Sequence, residues 1–273
     1  MIDSHQHFWK YDAARYGWID GTMTALRRDF LPDDIAPLMR AEGVDGTIAV
    51  QARQDDEETA WLLDLASTHP FIRGVVGWVD LQAPDVEQRV ERLANTPRLI
   101  GLRHVVQAEP DGFLHRSAFH RGIAAVGRSG LVYDILIYAR QLPEAVRFAA
   151  AFPGQRFVLD HLGKPDIRND GLQEWRRRLQ EMAALPHVWC KLSGLVTEAD
   201  WRGWTPDTLR PYLDAALDAF GPSRVMFGSD WPVCTVAATY AQVVALVRDA
   251  IAQYSADEQA QILGKTAEGV YLS

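Results

Sequence analysis

The chain has 273 residues, 48% hydrophobic and 23% charged, with a formal net charge of −8 at neutral pH. This is the composition of an ordinary globular protein with a sizeable core, and the negative balance argues against a nucleic-acid surface. No apolar run approaches membrane-spanning length, and two cysteines in a chain this long suit a reducing, cytoplasmic setting.

Residues 2–7 predict a first strand that carries His5 and His7. Side chains two apart on a strand share a face, so the two imidazoles converge on one spot. A strand starting this early leaves no room for a signal peptide and is expected to belong to the core. Further β-rich runs follow at residues 44–51, 74–80, 99–105, 131–137, 156–161, 187–193 and 224–230. Helical patterns lie between them, among them 57–68, 85–95, 143–152, 172–185 and 208–220. Strands alternating with helices imply a parallel sheet. Eight repeats in this length predict an α/β fold, a single (β/α)8 barrel over residues 1–273. A last helix over 258–272 is expected to close the barrel bottom.

The connections after strands are informative. Those over residues 9–34, 105–119 and 194–205 are long, and long structured loops are uncommon unless functional. In a barrel, the loops that follow the strands build the active face.

Polar residues gather at the same strand ends. In chain order they are Gln51 and Arg53; Arg103 and His104; Asp134, with Tyr138 beyond it; Asp160 and His161; Lys191 and Ser193; and Asp230. Charged groups are expensive to bury, so a set of them at one rim points to a site. Taken singly, Asp160 could cap the next segment, Lys191 could pair with a neighbouring carboxylate, and Asp134 could make a structural hydrogen bond. Trp9, Trp78, Trp231 and Tyr138 stand near strand ends, where they would line a pocket for a small ring. Cys190 reads as a core residue, and Cys234 has no evident histidine partner to make it a nucleophile.

The pattern of His5-x-His7 on the first strand, His161 after the sixth and Asp230 after the eighth resembles the amidohydrolase superfamily. Four segments, residues 3–9, 101–104, 160–165 and 227–232, resemble its lactone-hydrolysing branch. That branch includes lactonases for L-fuconolactone and L-rhamnonolactone, and hydrolases of pyrone dicarboxylate and sulfomuconolactone. The resemblance implies a hydrolase of a small-molecule sugar-acid lactone, with no nucleic-acid or membrane partner. His5, His7, His161 and Asp230 would be catalytic; Arg103, His104, Trp9, Trp78, Tyr138 and Trp231 would bind substrate. Binuclear members carry a bridging lysine on strand 4 or a glutamate nearby, and a metal-binding histidine on strand 5. Here those strands offer Arg103-His104 and Asp134, so a two-metal site is not expected. The resemblance implies no obligatory cofactor, with room for one divalent ion, zinc, on His5, His7 and Asp230. Two rival readings are a metal-dependent decarboxylase on the same barrel and a non-catalytic carbohydrate-binding barrel. The second has no use for a water-activating carboxylate.

Overall fold

The computed structural model describes residues 1–169 and 171–273. Eight strands pair in parallel in the order of the chain: β1 (Ile2–Gln6), β2 (Gly46–Val50), β3 (Ile72–Gly77), β4 (Leu99–Val105), β5 (Val132–Leu136), β6 (Phe157–Leu159), β7 (Val188–Leu192) and β8 (Val225–Phe227). A parallel bridge between Gln6 and Trp231 closes the ring. The His7 N–H donates to the Trp231 carbonyl at 2.7 Å, and the Asp230 N–H donates to the His5 carbonyl at 2.8 Å. The fold is therefore the expected (β/α)8 barrel.

Helices alternate with the strands: α1 (Pro32–Ala41), α2 (Asp56–Thr68), α3 (Val86–Ala94), α4 (Ser117–Ser129), α5 (Leu142–Ala150) and α6 (Leu172–Ala183). A short α7 (Leu195–Glu198) and α8 (Pro206–Phe220) precede β8, and α9 (Tyr240–Ala250), α10 (Ala256–Ala260) and α11 (Thr266–Tyr271) follow it. No helix among the described residues is long and apolar enough to cross a membrane.

Two layers fill the barrel. The lower one is apolar: Ile2, Ile48, Val50, Val76, Val132, Val158 and Met226, closed from below by Ala267, Val270 and Tyr271. The period of two along each strand then sets a second layer directly above. Asp134 lies two positions after Val132, Asp160 two after Val158, and Lys191 two after Trp189, which packs against the lower layer; all three charged residues are fully buried. In β1 the register shifts between Asp3 and Gln6. That irregularity lets Ile2 join the lower layer while His5 and His7 still face the upper one.

Three expectations change. The predicted strand ends at His161 and Asp230 are not strand, because β6 and β8 are three residues each. The chain leaves the sheet there in left-handed conformations, with φ 53° at His161 and 57° at Asp230. The helix expected over 258–272 is broken by a wide turn at Gln261–Lys265 into α10 and α11, although it closes the bottom as anticipated. Strand three lies earlier, at Ile72–Gly77.

Candidate active site

The upper layer opens into a cleft of about 760 Å³ whose floor includes His7, Arg103, His161 and Asp230. His5 Nε2 lies 3.2 Å from His7 Nε2. Asp230 Oδ1 lies 3.3 Å from His7 Nε2, 3.9 Å from His5 Nε2 and 4.0 Å from His161 Nε2. Three histidines from two strand ends thus converge on one carboxylate oxygen at a third. The left-handed backbone at His161 and Asp230 aims both inward, and non-glycine residues held that way cluster at functional sites.

The hydrogen bonds define what each ring offers. His7 Nδ1 meets the Val50 carbonyl at 2.8 Å; a carbonyl only accepts, so Nδ1 carries a hydrogen and Nε2 is the atom turned to Asp230. His161 Nδ1 meets Ser193 Oγ at 2.9 Å, which leaves Nε2 to face the cleft. Burial pushes His161 down to about 4, the nearby Asp230 and Asp160 carboxylates offsetting only part of that cost. Burial likewise opposes the charge of Asp230, yet the surrounding imidazoles of His161, His7 and His5 outweigh it and hold the carboxyl below the ordinary range.

Beneath these lies a fully buried ionic layer. Arg103 Nη1 donates to Asp160 Oδ2 at 2.9 Å, and its Nη2 donates to the Gln51 backbone carbonyl and to Gln51 Oε1. Lys191 Nζ pairs with Asp134 and with Asp160 Oδ1, the latter at 3.0 Å. Burial opposes ionisation of Asp160, but Lys191 and Arg103 hold it well below the usual carboxylate range.

The remaining predicted residues fall on both sides of the wall. Tyr138 lines the cleft. His104 does not: it alternates with Arg103 on β4, faces outward, stacks on Phe113 at 4.7 Å and bonds Glu109 at 2.9 Å. Trp78 sits behind it and donates to His104 Nδ1 at 3.3 Å. Trp9 is buried and donates to the Arg28 carbonyl, while Trp231 packs against Phe8 and Phe30. Trp9 and Trp231 fasten the first long loop to the barrel, and none of these three tryptophans is among the residues lining the cleft. Burial pushes the Cys234 thiol well up, so no thiolate is available there.

Cleft residues that sequence reasoning passed over include Trp18, Asp20, Lys164, Arg168, Glu198 and Trp201. All lie in segments after strands 1, 6 and 7, and loop length was the signal that pointed to two of those segments. Lys164 Nζ and Glu198 Oε1 pair at 3.5 Å across the wall.

Two overlapping donor sets suit a cation. His5, His161 and Asp230 bring ligand atoms within 4.8 Å of one another. His5 Nε2, His7 Nε2 and Asp230 Oδ1 are separated by 3.2, 3.3 and 3.9 Å. Ligands at about 2.0–2.1 Å on a tetrahedral zinc lie about 3.3 Å apart, so nitrogen and oxygen donors at this spacing fit one ion.

A barrel with paired histidines on its first strand, a histidine after the sixth and an aspartate after the eighth has the architecture of a hydrolase. The chain belongs to the amidohydrolase family, whose model matches residues 2–272. It is 51% identical over 282 residues to an L-fucono-1,5-lactonase of Burkholderia multivorans, covering 99% of this chain and 95% of that protein. It is 41% identical over 239 residues to an L-fucono-1,5-lactonase of Burkholderia ambifaria, covering 86% and 81%. Among solved structures, it is similar to an amidohydrolase from Burkholderia multivorans crystallised with bound zinc, at 48% identity and a TM-score of 0.96, covering 99% and 98%.

Proposed function

We propose that this protein hydrolyses a neutral sugar-acid lactone of the L-fucono-1,5-lactone type to the open acid. The observation that carries the reading is Asp230 Oδ1 standing 3.3 Å from His7 Nε2 at the floor of an open cleft. Full-length similarity to two L-fucono-1,5-lactonases supports it. A water held there donates one hydrogen to His7 Nε2 and the other to Asp230 Oδ1. Its oxygen then faces the lactone carbonyl above. Asp230 takes the proton as the new C–O bond forms, and the carbonyl oxygen becomes an oxyanion opposite His161 Nε2–H and Arg103. Collapse breaks the ring C–O bond, and Asp230 returns the proton to the leaving alkoxide. A lactone carbonyl is electrophilic enough for hydrogen-bond donors and a cation to suffice. A divalent ion on His5, His7 and Asp230 would supply Lewis-acid polarisation of the same water.

The cleft's charge balance favours a neutral ring. Of five cations at the wall, Arg15, Arg53, Arg103 and Lys164 are already paired, with Glu57, Asp55, Asp160 and Glu198 respectively. Arg140 pairs with Asp111 and is not among the residues lining the cleft. Sugar hydroxyls suit the carboxylates of the cleft wall, among them Asp20, Asp166 and Glu198. The two free thiols are consistent with a cytoplasmic enzyme. Acid release across a panel of aldonolactones, with CO2 measured in parallel, tests the reading. Acid without CO2 is expected; CO2 release from a carboxylated aromatic would instead favour the decarboxylase.

A further inference from the structure

The cleft wall holds a charged pair that proton transfer at Asp230 leaves unused. Lys164 Nζ and Glu198 Oε1 stand 3.5 Å apart, with side chains only 16% and 20% exposed. Both line the cleft, as does Tyr138, whose ring centre lies 5.5 Å from Lys164 Nζ.

The backbone sets where both side chains start. His161, Leu162, Gly163 and Lys164 are left-handed in succession, with φ of 53°, 55°, 68° and 49°. Three of the four are not glycine, and such strain persists only where the surroundings over-determine it. Here Leu162 is fully buried and its carbonyl accepts the Trp175 indole N–H at 2.8 Å, while the Lys164 N–H donates to the His161 carbonyl at 2.8 Å. One turn therefore delivers His161 and Lys164 to the same cleft. Glu198 ends α7, which follows Gly194, the glycine packed against the His161 ring. Leu195 and Val196 are buried, and Thr197 Oγ1 donates to the Gly194 carbonyl at 2.7 Å.

We infer that Lys164 and Glu198 form the subsite that takes neighbouring hydroxyls of the substrate ring, with Tyr138 offering its aromatic face to the sugar's C–H groups. This subsite presupposes the lactone reading proposed above, and adds what selects a hydroxylated ring over a plain one. An ammonium has three hydrogens and an ionised carboxylate about four acceptor sites. Among the described residues, neither head group makes another hydrogen bond or ion pair. Desolvating two charges is repaid only when their remaining donors and acceptors are filled. A pair that merely joined two segments would leave that capacity open toward the cleft. A hydroxyl both donates and accepts, so one placed between the heads donates to Glu198 and accepts from Lys164. A second hydroxyl on the next carbon uses a further hydrogen and a further lone pair. The two charges cancel, so the subsite suits neutral hydroxyls and holds no surplus cation for an anionic ring.

Two variants test this. Glu198→Gln keeps the shape and removes the charge, and Lys164→Met keeps the stem and removes the donors; circular dichroism confirms that each folds. Calorimetry measures the binding of 1,5-anhydro-L-fucitol, a ring that has the hydroxyls but no lactone carbonyl. Wild type is expected to bind it and each variant to bind it about ten- to a hundredfold more weakly, the scale of one hydrogen bond to a charged group. In parallel, kcat/KM is measured on L-fucono-1,5-lactone and on δ-valerolactone, the same ring without hydroxyls. The preference of wild type for the hydroxylated lactone is expected to shrink by the same factor in each variant. No binding of the anhydro sugar by wild type, or equal binding by the folded variants, overturns the subsite. An unchanged preference overturns it too, because both lactones falling together would mean that the pair holds the wall or serves the chemistry. Calorimetry involves no turnover, so these results stand apart from the failure of wild type to hydrolyse any aldonolactone, which would instead remove the lactone reading and this subsite's role in it.

Discussion

Replacing Gly194 with alanine should impair the site while leaving the identity of all four converging residues unchanged. Gly194 has φ +69°, a left-handed conformation that costs a residue with a Cβ about 1–2 kcal/mol. The larger effect is steric. The new Cβ would lie 2.5 Å from His161 Nδ1, 2.7 Å from its Cγ and 2.9 Å from its Cβ. Comfortable heavy-atom contacts are about 3.5–4.0 Å, so the ring must retreat by about 1 Å. Retreat strains the 2.9 Å hydrogen bond to Ser193 Oγ and moves Nε2 from its place opposite Asp230. A misplacement of about 1 Å at a reacting group costs about 10²-fold. G194A is therefore expected to lose about a hundredfold in kcat on L-fucono-1,5-lactone with little change in KM, and about 1–2 kcal/mol in urea unfolding. Steady-state acid release and urea titration measure both. A folded variant with kcat within a few-fold of wild type would show that the placement of His161 does not matter to turnover.

Three further outcomes are expected. Glu58 accepts the Ala52 and Arg53 backbone N–H groups at 2.9 Å each and so fixes the wall after β2, and burial raises its pKa to about 7. Because the folded value lies above the unfolded one, wild type should lose stability relative to Glu58→Gln as pH rises from about 4.5 to 7, by at most about 3 kcal/mol; parallel urea curves at both ends of that window would refute it. Prolonged chelation should leave most lactone hydrolysis intact, because in the proposed mechanism Arg103 and His161 supply charge and a donor at the carbonyl; complete loss restored by zinc would contradict this. Neutral aldonolactones should exceed pyrone dicarboxylate by at least about a hundredfold in kcat/KM, or about 2.7 kcal/mol, and a preference for the dicarboxylate in side-by-side assays would mean that Arg53 and Arg168 bind anions.

The barrel was legible because its signals are local and repeated: β-rich runs alternate with helical patterns, and polar residues end the runs. His5, His7, His161 and Asp230 could be grouped because strand periodicity and barrel topology place strand ends together. What strand 4 faces was harder. Arg103 and His104 are adjacent, only one can point inward, and parity depends on where the strand begins. The same holds for Trp9 and Trp231, whose positions near strand ends say nothing about which side of the wall they occupy. Glu198 and Lys164 meet from different loops, a pairing that no spacing encodes. The ionic layer of Asp134, Asp160 and Lys191 was visible only as separate residues, because its meaning lies in three strands converging on one lysine.

The central claim is that Asp230 takes the proton from the attacking water. Turnover of L-fucono-1,5-lactone by wild type and Asp230→Asn, with circular dichroism confirming that both fold, tests it most directly. The account predicts one acid released per lactone by wild type and a kcat lower by about 10³ or more in the variant, the loss of a general base together with its charge. A folded Asp230→Asn protein with kcat within about tenfold of wild type would contradict it.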